Sequence, residues 1–326
     1  MTKKKIGVIG AGIAGLSCAK ELVSAGFDVT VFDKGRGVGG RMSHRHFENW
    51  GADHGAQYFT VKNPLFAKEA EIWLKENVIA PWQGRLAKID NTVAEYQDEV
   101  IRYVGTPGMN APAKYLAQGH KLHTSYTVTE IKRSQGYWSV VTKECGELEY
   151  AFDFIIFAIP SVQAKHLIDR YSTSLRDLCE SAKMLPCWTL MAYLKNPLSL
   201  NFDGAFVKNH MYSWIARDSD KPERSIYESW VAQASPEWSS EHVDIAPAEV
   251  EQYLTEGFKD LTGCECDLYQ THLWRYARLE TPQELNYSID SQAKLAVCGD
   301  WLRNSTVEDA WLSGYYLGQG LSEALR

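Results

Sequence analysis

The sequence has little of several features that mark particular classes of protein. No apolar run approaches the roughly 18 residues of a membrane span. The seven cysteines form no C-x-x-C pair, so zinc sites and thioredoxin-type chemistry have no support. The net charge of −7, with both signs mixed along the chain, offers no basic excess for nucleic acid. We therefore expect no membrane, nucleic acid or metal partner, and reduced, buried thiols.

The bulk composition is that of an ordinary globular protein. The 326 residues suffice for about two domains, with 45% hydrophobic and 23% charged residues. The start MTKKKIGVIGAG is basic and then apolar, as in a signal peptide. Glycines interrupt its apolar part, however, and no cleavage-type region follows. We read it as a first strand and expect a cytoplasmic protein.

A glycine motif follows that first strand. Residues 5–9, KIGVI, predict a short strand, and Gly10, Gly12 and Gly15 match G-x-G-x-x-G. The first glycine permits a tight turn, the second lets the backbone approach a pyrophosphate, and the third lets helix and strand pack closely. A helix pattern and the alternating strand DVTVFD come next, ending at Asp33, whose carboxylate suits an adenosine ribose. The unit predicts a dinucleotide site.

A second glycine cluster lies just after Asp33. It contains glycines at positions 35, 37, 39 and 40, followed by Arg41. Two adjacent glycines before an arginine suit a backbone pressed against a second phosphate, with a guanidinium nearby. An NAD-type unit does not need this second loop.

The two loops together resemble the FAD-binding proteins of the glutathione-reductase type, in the flavin amine oxidase branch. The stretch WGADHGAQYFT resembles the D-x-G-A-Q-Y of renalase and its bacterial relatives, and GTPGMNAPAKYLA, FIIFAIP and THLWRYARLE match later parts of that family. Near the C-terminus, Gly299-Asp300 and the helix after it resemble the segment that holds the FAD phosphate or ribitol and aims a helix dipole at the flavin. The resemblance is weakest between about 165 and 265.

The resemblance implies FAD as a prosthetic group. It is expected to be non-covalent, because the S-G-G-C-Y attachment sequence of monoamine oxidases is missing. Three residues depart from the family pattern: Asp33 where Glu is commoner, Cys18 at a small-residue position, and Asp309 where glycine is frequent. The cofactor-binding residues it implies are Gly10, Gly12, Ile13, Ala14, Gly15, Asp33, Lys34, Gly40, Arg41, Ala56, Gln57, Tyr58, Val128, Ala158, Asp300, Val307 and Glu308.

The implied fold class is α/β, with a discontinuous FAD-binding Rossmann domain of the glutathione-reductase type and an inserted α+β substrate domain built on an antiparallel sheet. We assign residues 1–61, 101–164 and 291–326 to the FAD-binding domain. Residues 62–100 and 165–290 then form the substrate domain. Alternating stretches such as WTLMAYL and SIYESWVAQA predict its antiparallel strands, and a helix is expected near 246–261.

Candidate substrate residues cluster in HLWRYARLE. Trp274 and Tyr276 suit stacking on a flat substrate, and Arg275 and Arg278 suit a phosphate. Strand alternation predicts that Trp274 and Tyr276 share a face and that Arg275 lies opposite. Tyr58 completes the catalytic candidates. His44, His46 and His54 lie nearby in sequence, but a lone histidine is more often structural, so we expect none of them to be a base.

The sequence leaves four functions open. The resemblance favours a renalase-like oxidase that converts the 2- or 6-dihydro isomers of NAD(P) to NAD(P)+, with dioxygen reduced to hydrogen peroxide. A flavin amine oxidase acting on a small amine is the alternative, although such enzymes are usually longer. A flavin monooxygenase is disfavoured, because FAIPSVQ stands where those hydroxylases carry an Asp-Gly segment. A non-enzymatic flavin-bound sensor is the fourth.

Overall fold

The computed structural model describes residues 3–325. The α-helices are, in chain order, α1 (Ile13–Ser24), α2 (Pro64–Lys75), α3 (Ala111–Leu116), α4 (Ser161–Ile168), α5 (Thr173–Ser181), α6 (Pro236–Glu241), α7 (Pro247–Thr262) and α8 (Val307–Leu325). The strands are, in chain order, β1 (Lys5–Ile9), β2 (Asp28–Asp33), β3 (His44–His46), β4 (Gly51–Asp53), β5 (Ile79–Trp82), β6 (Leu86–Asp90), β7 (Thr92–Tyr96), β8 (Arg102–Gly105), β9 (Lys121–Thr124), β10 (Val128–Ser134), β11 (Tyr137–Thr142), β12 (Gly146–Glu147), β13 (Phe154–Phe157), β14 (Met184–Leu194), β15 (Gly204–Val207), β16 (Tyr212–Arg217), β17 (Glu228–Ala234), β18 (Leu268–Leu279), β19 (Tyr287–Asp290) and β20 (Leu295–Cys298).

The first sheet has the order β19-β20-β13-β1-β2-β9. Its strands pair in parallel except for β19, which pairs antiparallel with β20. The chain moves from β1 to β2 on one side, and β13 adds on the other side. This reversal creates a crevice at the carboxyl ends of β1 and β13, where ligands of such sheets bind.

Both faces of the first sheet are covered, which explains its nearly continuous apolar strands. Ile6, Val8 and Ile156 pack with α1 and α8 on one face. Phe32 and Ile155 pack with β10, β11, α4 and α5 on the other. Gly314 lets α8 lie against α1, since a Cβ there would be 1.9 Å from the Ala14 carbonyl oxygen.

The second sheet has the order β18-β14-β17-β16-β15-β6-β7. Its neighbours pair antiparallel, except for the parallel pair of β15 and β6. The expected strands are present, because WTLMAYL lies in β14 and most of SIYESWVAQA in β17, and Leu190 pairs with Ala232. Helix α7, close to the expected 246–261, packs Val250, Leu254 and Phe258 against this sheet.

One boundary differs from the expectation. Strand β19 falls within 165–290 but belongs to the first sheet, because its hairpin with β20 pairs Ser288 with Val297. The other domain boundaries stay predictions. Across residues 3–325, no helix combines the length and the apolar character that crossing a membrane requires.

Candidate active site

Two glycine loops meet at the carboxyl end of the first sheet. The first loop follows β1, and the second precedes a short 3-10 turn at Gly40–Met42. The Gly39 amide donates to the Ala11 carbonyl over 2.9 Å, and Gly12 forms a bridge with Gly39. The loops therefore form one continuous surface, although 27 positions separate the two glycines that meet, as 39 minus 12 gives.

The three glycines of the first loop have separate roles. Gly10 has a φ of +109°, and a Cβ there would come within 2.4 Å of the Ala158 carbonyl oxygen. A Cβ on Gly15 would come within 2.0 Å of the Gly10 carbonyl oxygen, so Gly15 serves packing. Gly12 lines the cavity, and a Cβ there would meet no atom within 4 Å. Gly12 thus leaves open the space that a diphosphate needs.

A cavity of about 1480 Å³ extends from these loops to the second sheet. This exceeds the roughly 300–1000 Å³ typical of a site for one drug-sized ligand. Helices α1 and α8 both begin at its wall, and α1 has no acidic residue in its first turn to occupy its free amides. The backbone around Val128 lines the same cavity. The size of the cavity and the free amides at the start of α1 fit an extended dinucleotide such as FAD.

Most of the predicted cofactor residues line this cavity. They are Gly10, Gly12, Ile13, Ala14, Asp33, Lys34, Gly40, Arg41, Ala56, Val128, Ala158, Asp300 and Val307. Asp33 accepts hydrogen bonds from the amides of Ala11 (2.6 Å) and Gly35 (2.7 Å). Burial raises the pKa of Asp33, and these two amides oppose the rise. Asp33 therefore also stabilises both glycine loops, since it accepts one backbone hydrogen bond from each.

Arg41 and Asp300 form an ion pair across the cavity wall. Arg41 Nη1 donates to Asp300 Oδ2 over 3.0 Å, and Nη2 donates to Oδ1. Arg41 Nη1 also donates to the Ala277 carbonyl over 2.9 Å. The Arg41 guanidinium, which the sequence analysis assigned to a phosphate, thus joins three segments in this structure: the second glycine loop, the turn after β20 and the last part of β18.

Four predicted cofactor residues lie outside the residues that line the cavity. Gly15 is behind the first loop, as its packing requires. Glu308 accepts hydrogen bonds from the Lys62 and Asn63 amides. Tyr58 packs its ring against Trp214 and Trp82 and under the Arg102 guanidinium. Gln57 is buried and donates to the carbonyls of Asp53 and Gly55. Direct contact of these residues with FAD stays a prediction.

The opposite wall is built by β18. The residues from His272 to Arg278 all contribute to it, including Trp274, Arg275 and Tyr276. The predicted alternation, with Trp274 and Tyr276 on one face and Arg275 opposite, stays a prediction. The pairing of β14 with β18 shifts, so that the two steps from Leu185 to Cys187 face the four steps from Arg278 to Trp274. This bulge interrupts the regular pairing of the two strands beside the cavity.

An aromatic and imidazole cluster stands beside this wall. The Trp274 ring stacks on His54 with centroids 5.1 Å apart and meets His272 edge-on at 4.4 Å. Trp274 Nε1 donates to the His54 carbonyl over 2.8 Å. Burial lowers the pKa of His54 to about 3 and that of His272 to about 4. Both imidazoles are therefore neutral at neutral pH.

A buried ion network, which the sequence did not predict, joins the D-x-G-A-Q-Y stretch to residues 218–224. It consists of Asp53, Asp218, Lys221 and Arg224, whose side chains are at most 3% exposed. Burial alone would raise the pKa of Asp53, but Lys221 and Arg224 hold that pKa well below its usual range. No sequence signal marks the network, because its halves lie more than 160 residues apart.

The same cluster contains a spacing typical of metal ligands. Ligand atoms of His44, Asp53 and Asp218 all lie within 4.8 Å of one another. Lys221 and Arg224 already supply positive charge to both carboxylates, with Lys221 Nζ 2.7 Å from Asp218 Oδ1 and Arg224 Nη2 2.6 Å from Asp53 Oδ2. The arrangement is that of an ion-pair network.

Comparison with known families gives two matches. A model of the NAD(P)-binding Rossmann-like domain matches residues 8–68. A model described as flavin containing amine oxidoreductase matches residues 84–316, which is well over half of the chain.

The curated relatives match over short segments. One is a 4,4'-diaponeurosporene oxygenase of Staphylococcus haemolyticus (strain JCSC1435), 39% identical over 61 residues, or 19% of this chain. Another is a 4,4'-diapophytoene desaturase of Staphylococcus aureus (strain Newman), 45% identical over 51 residues, or 16% of this chain. The matched segments span only 12% and 10% of those relatives.

Solved structures resemble this one over nearly the whole chain. A protein assigned as a protoporphyrinogen oxidase from Exiguobacterium sp. 255-15 superimposes with a TM-score of 0.79 at 10% identity, covering 99% of this chain and 100% of that one. Cyclohexylamine oxidase from Brevibacterium oxydans IH-35A gives 0.76 at 11% identity, with the same coverage. At such identities the likeness shows the fold.

Proposed function

We propose a reaction for this protein from one premise: the chain belongs to the family of flavin containing amine oxidoreductases and is an FAD-dependent oxidoreductase. FAD as cofactor was predicted from the sequence, and the family match confirms it. The proposed reaction is renalase-like: a 2- or 6-dihydro isomer of NAD(P) gives up a hydride and becomes NAD(P)+, and dioxygen becomes hydrogen peroxide. A cytoplasmic location is part of the same proposal.

The observation that carries the proposal is the bulged segment of β18. Two aromatic residues, Trp274 and Tyr276, and two arginines, Arg275 and Arg278, are among the residues of this segment that line the cavity. A reduced nicotinamide dinucleotide needs both, since its ring is flat and its diphosphate is anionic. Rings contribute stacking, and arginines bind phosphate through paired hydrogen bonds.

The protein's own groups bind and orient substrate in this proposal. FAD, when bound, supplies the hydride acceptor and the route of electrons to dioxygen. Trp274 and Tyr276 hold the substrate ring, while Arg275 and Arg278 hold its phosphates. The neutral imidazoles of His54 and His272 add no positive charge next to the ring that becomes cationic. Hydride transfer mainly requires such positioning.

An amine oxidase is the second candidate. Two of the structural neighbours are named cyclohexylamine oxidase and putrescine oxidase. The uncharged part of the β18 wall, formed by His272, Trp274 and Tyr276, suits a neutral amine. The two arginines on the same wall oppose binding of the protonated form, and for this reason we rank the amine second.

Anaerobic reduction distinguishes these candidates. The purified flavoprotein is mixed with 2-dihydro-NAD(P), 6-dihydro-NAD(P), NADH, NADPH, cyclohexylamine and putrescine in separate experiments, and the oxidised-flavin absorbance is followed. Fast bleaching by one dihydro isomer alone supports the proposal and identifies the substrate. Bleaching by an amine alone assigns the protein to the amine oxidases. If no compound bleaches the flavin, both candidates are overturned. Where a compound does bleach it, air is admitted to the reduced protein and hydrogen peroxide is measured.

A further inference from the structure

The ammonium group of Lys221 is fully satisfied by three acceptors. Its Nζ lies 2.7 Å from Asp218 Oδ1, 3.2 Å from Asp53 Oδ2 and 3.3 Å from Gln57 Oε1. An ammonium group has three N–H donors, and each has a partner here. Lys221 is also fully buried. Its contacts therefore favour holding other groups in place over exchanging protons with a ligand.

Gln57 connects Lys221 to the backbone through hydrogen bonds of its side-chain amide. With its Oε1 held by Lys221, its Nε2 faces the Asp53 carbonyl and, over 3.1 Å, the Gly55 carbonyl. Gln233 Nε2 donates to the same Gly55 carbonyl over 2.7 Å. The amide orientation follows from these partners, because only the NH2 end can donate to two carbonyls.

The peptide group between Gly55 and Ala56 stands at the end of this chain of contacts. Its carbonyl accepts from Gln57 and Gln233, and its N–H donates to the Arg41 carbonyl over 2.8 Å. Gly55 and Ala56 both line the cavity. The loop is pressed onto Arg41 so closely that a Cβ on Gly55 would be 1.9 Å from the Arg41 carbonyl oxygen.

We infer that Lys221, acting through Gln57, is a positioning residue that sets the Gly55–Ala56 peptide and the Arg41 backbone against the bound FAD. The connection runs from the second sheet's loop at 218–224 to the second glycine loop. Gln57 then influences FAD through the Gly55 carbonyl and has no direct contact with it. This role goes beyond the proposed reaction and holds for either substrate class.

The test uses substitutions that keep the buried charges balanced. Q57L removes the connection and leaves all four charges of the ion network in place. The double variant K221M/D218N removes one cation and one anion and leaves the Asp53–Arg224 pair, 2.6 Å apart. Balanced removal of a buried pair is far milder than loss of one partner. K20M/E69Q is the matched control, since this partly buried pair lies outside the cavity lining.

Three properties are measured for each variant: the FAD dissociation constant of the apoprotein, the absorption and circular dichroism of bound flavin, and the unfolding midpoint of the apoprotein. We expect FAD to bind at least tenfold more weakly to Q57L and to K221M/D218N, with altered flavin spectra. The control should stay within twofold of the wild type. If Q57L does not fold, Q57M gives the same measurement.

Unchanged FAD affinity and spectra in Q57L or Q57M and in the double variant would overturn the inference, even if the unfolding midpoint falls. That result would mean that the network serves stability alone, and it would leave the proposed reaction intact. A wild-type protein that reacts with none of the proposed substrates would defeat the proposed reaction without affecting this measurement.

Discussion

The glycine wall of the cavity (residues 10–14 and 39–42) consists mostly of backbone, whereas the β18 wall (residues 272–278) owes its chemistry to side chains. The glycine wall offers amides, a helix start and open space, which suit any diphosphate. The β18 wall offers two rings and two guanidinium groups, which suit a narrower class of molecule. In the proposed reaction, the glycine wall therefore binds the dinucleotide cofactor, and the β18 wall selects the molecule that is oxidised beside it.

Gly12→Val should produce the largest effect, a loss of FAD affinity, and it alters only the glycine wall. Gly12 has φ −76° and ψ 177°, which a valine adopts without strain, so the variant should fold. Its side chain would occupy the diphosphate space, and we expect FAD binding to weaken at least a hundredfold. Flavin content and a titration with FAD measure this. Gly37→Ala is the control, since its Cβ meets no atom within 4 Å and Gly37 does not line the cavity.

Full flavin content in Gly12→Val would show that the diphosphate lies elsewhere. Gly10→Val sharpens the comparison. Its φ of +109° and the nearby Ala158 carbonyl make a side chain there costly to the fold itself. We expect Gly10→Val to be poorly folded, in contrast to Gly12→Val.

The double substitution R275Q/R278Q should weaken substrate binding at the β18 wall and leave the glycine wall unchanged. We expect FAD content to stay normal and KM for the dihydronicotinamide dinucleotide to rise by roughly 10- to 100-fold, as expected for losing phosphate contacts of about 1.5–3 kcal/mol. The change in kcat should be smaller, because the ring still stacks. Steady-state peroxide formation measures both constants, with R176Q as a surface control. Equal KM values for variant and wild type would remove the phosphate role.

Acid should weaken the folded state through the imidazoles beside the β18 wall. The pKa of His54 is lowered from 6.5 to about 3. Between these pH values His54 is protonated in the unfolded chain but neutral in the folded chain, so the free energy of unfolding falls as the pH falls. We expect the free energy of unfolding to drop by about 2 kcal/mol more for the wild type than for His54→Leu between pH 7 and pH 4.5. Urea titrations at both pH values measure this, and equal drops would contradict the burial of a neutral imidazole.

Asp244→Asn should produce the smallest effect, at the rim of the β18 wall. Asp244 Oδ1 lies 3.5 Å from Arg275 Nη1, and both side chains are more than half exposed. Such exposed pairs contribute little and are screened by salt. We expect KM for the anionic substrate to fall by about twofold at low salt and to be unchanged at high salt. A rise in KM would mean that Asp244 itself contacts substrate.

The two walls also differ in how far the sequence predicts them. The order of strand, glycine turn, helix and acid between residues 5 and 33 is local, so spacing alone predicted the turn at Gly10 and the open position at Gly12. The second glycine cluster pointed to Arg41 in the same way, and the sequence resemblance added FAD and Asp300. The roles of Gln57, Tyr58 and Glu308 could not be assigned in this way, because their partners come from distant segments.

Amino-acid spacing by itself predicted the dinucleotide loop, the helix after it and the alternating strands, since each depends on periodicity or on the conformational freedom of glycine. Only the tertiary structure decided that residues 272–278 line the same cavity as the glycine loops, because the two segments lie far apart in sequence. It also decided that Asp53 and Gln57 meet Lys221. Because an unpaired buried charge is costly, each of these buried charges has a partner of opposite sign. The partners lie far apart in the chain, so the sequence alone does not reveal which residues pair.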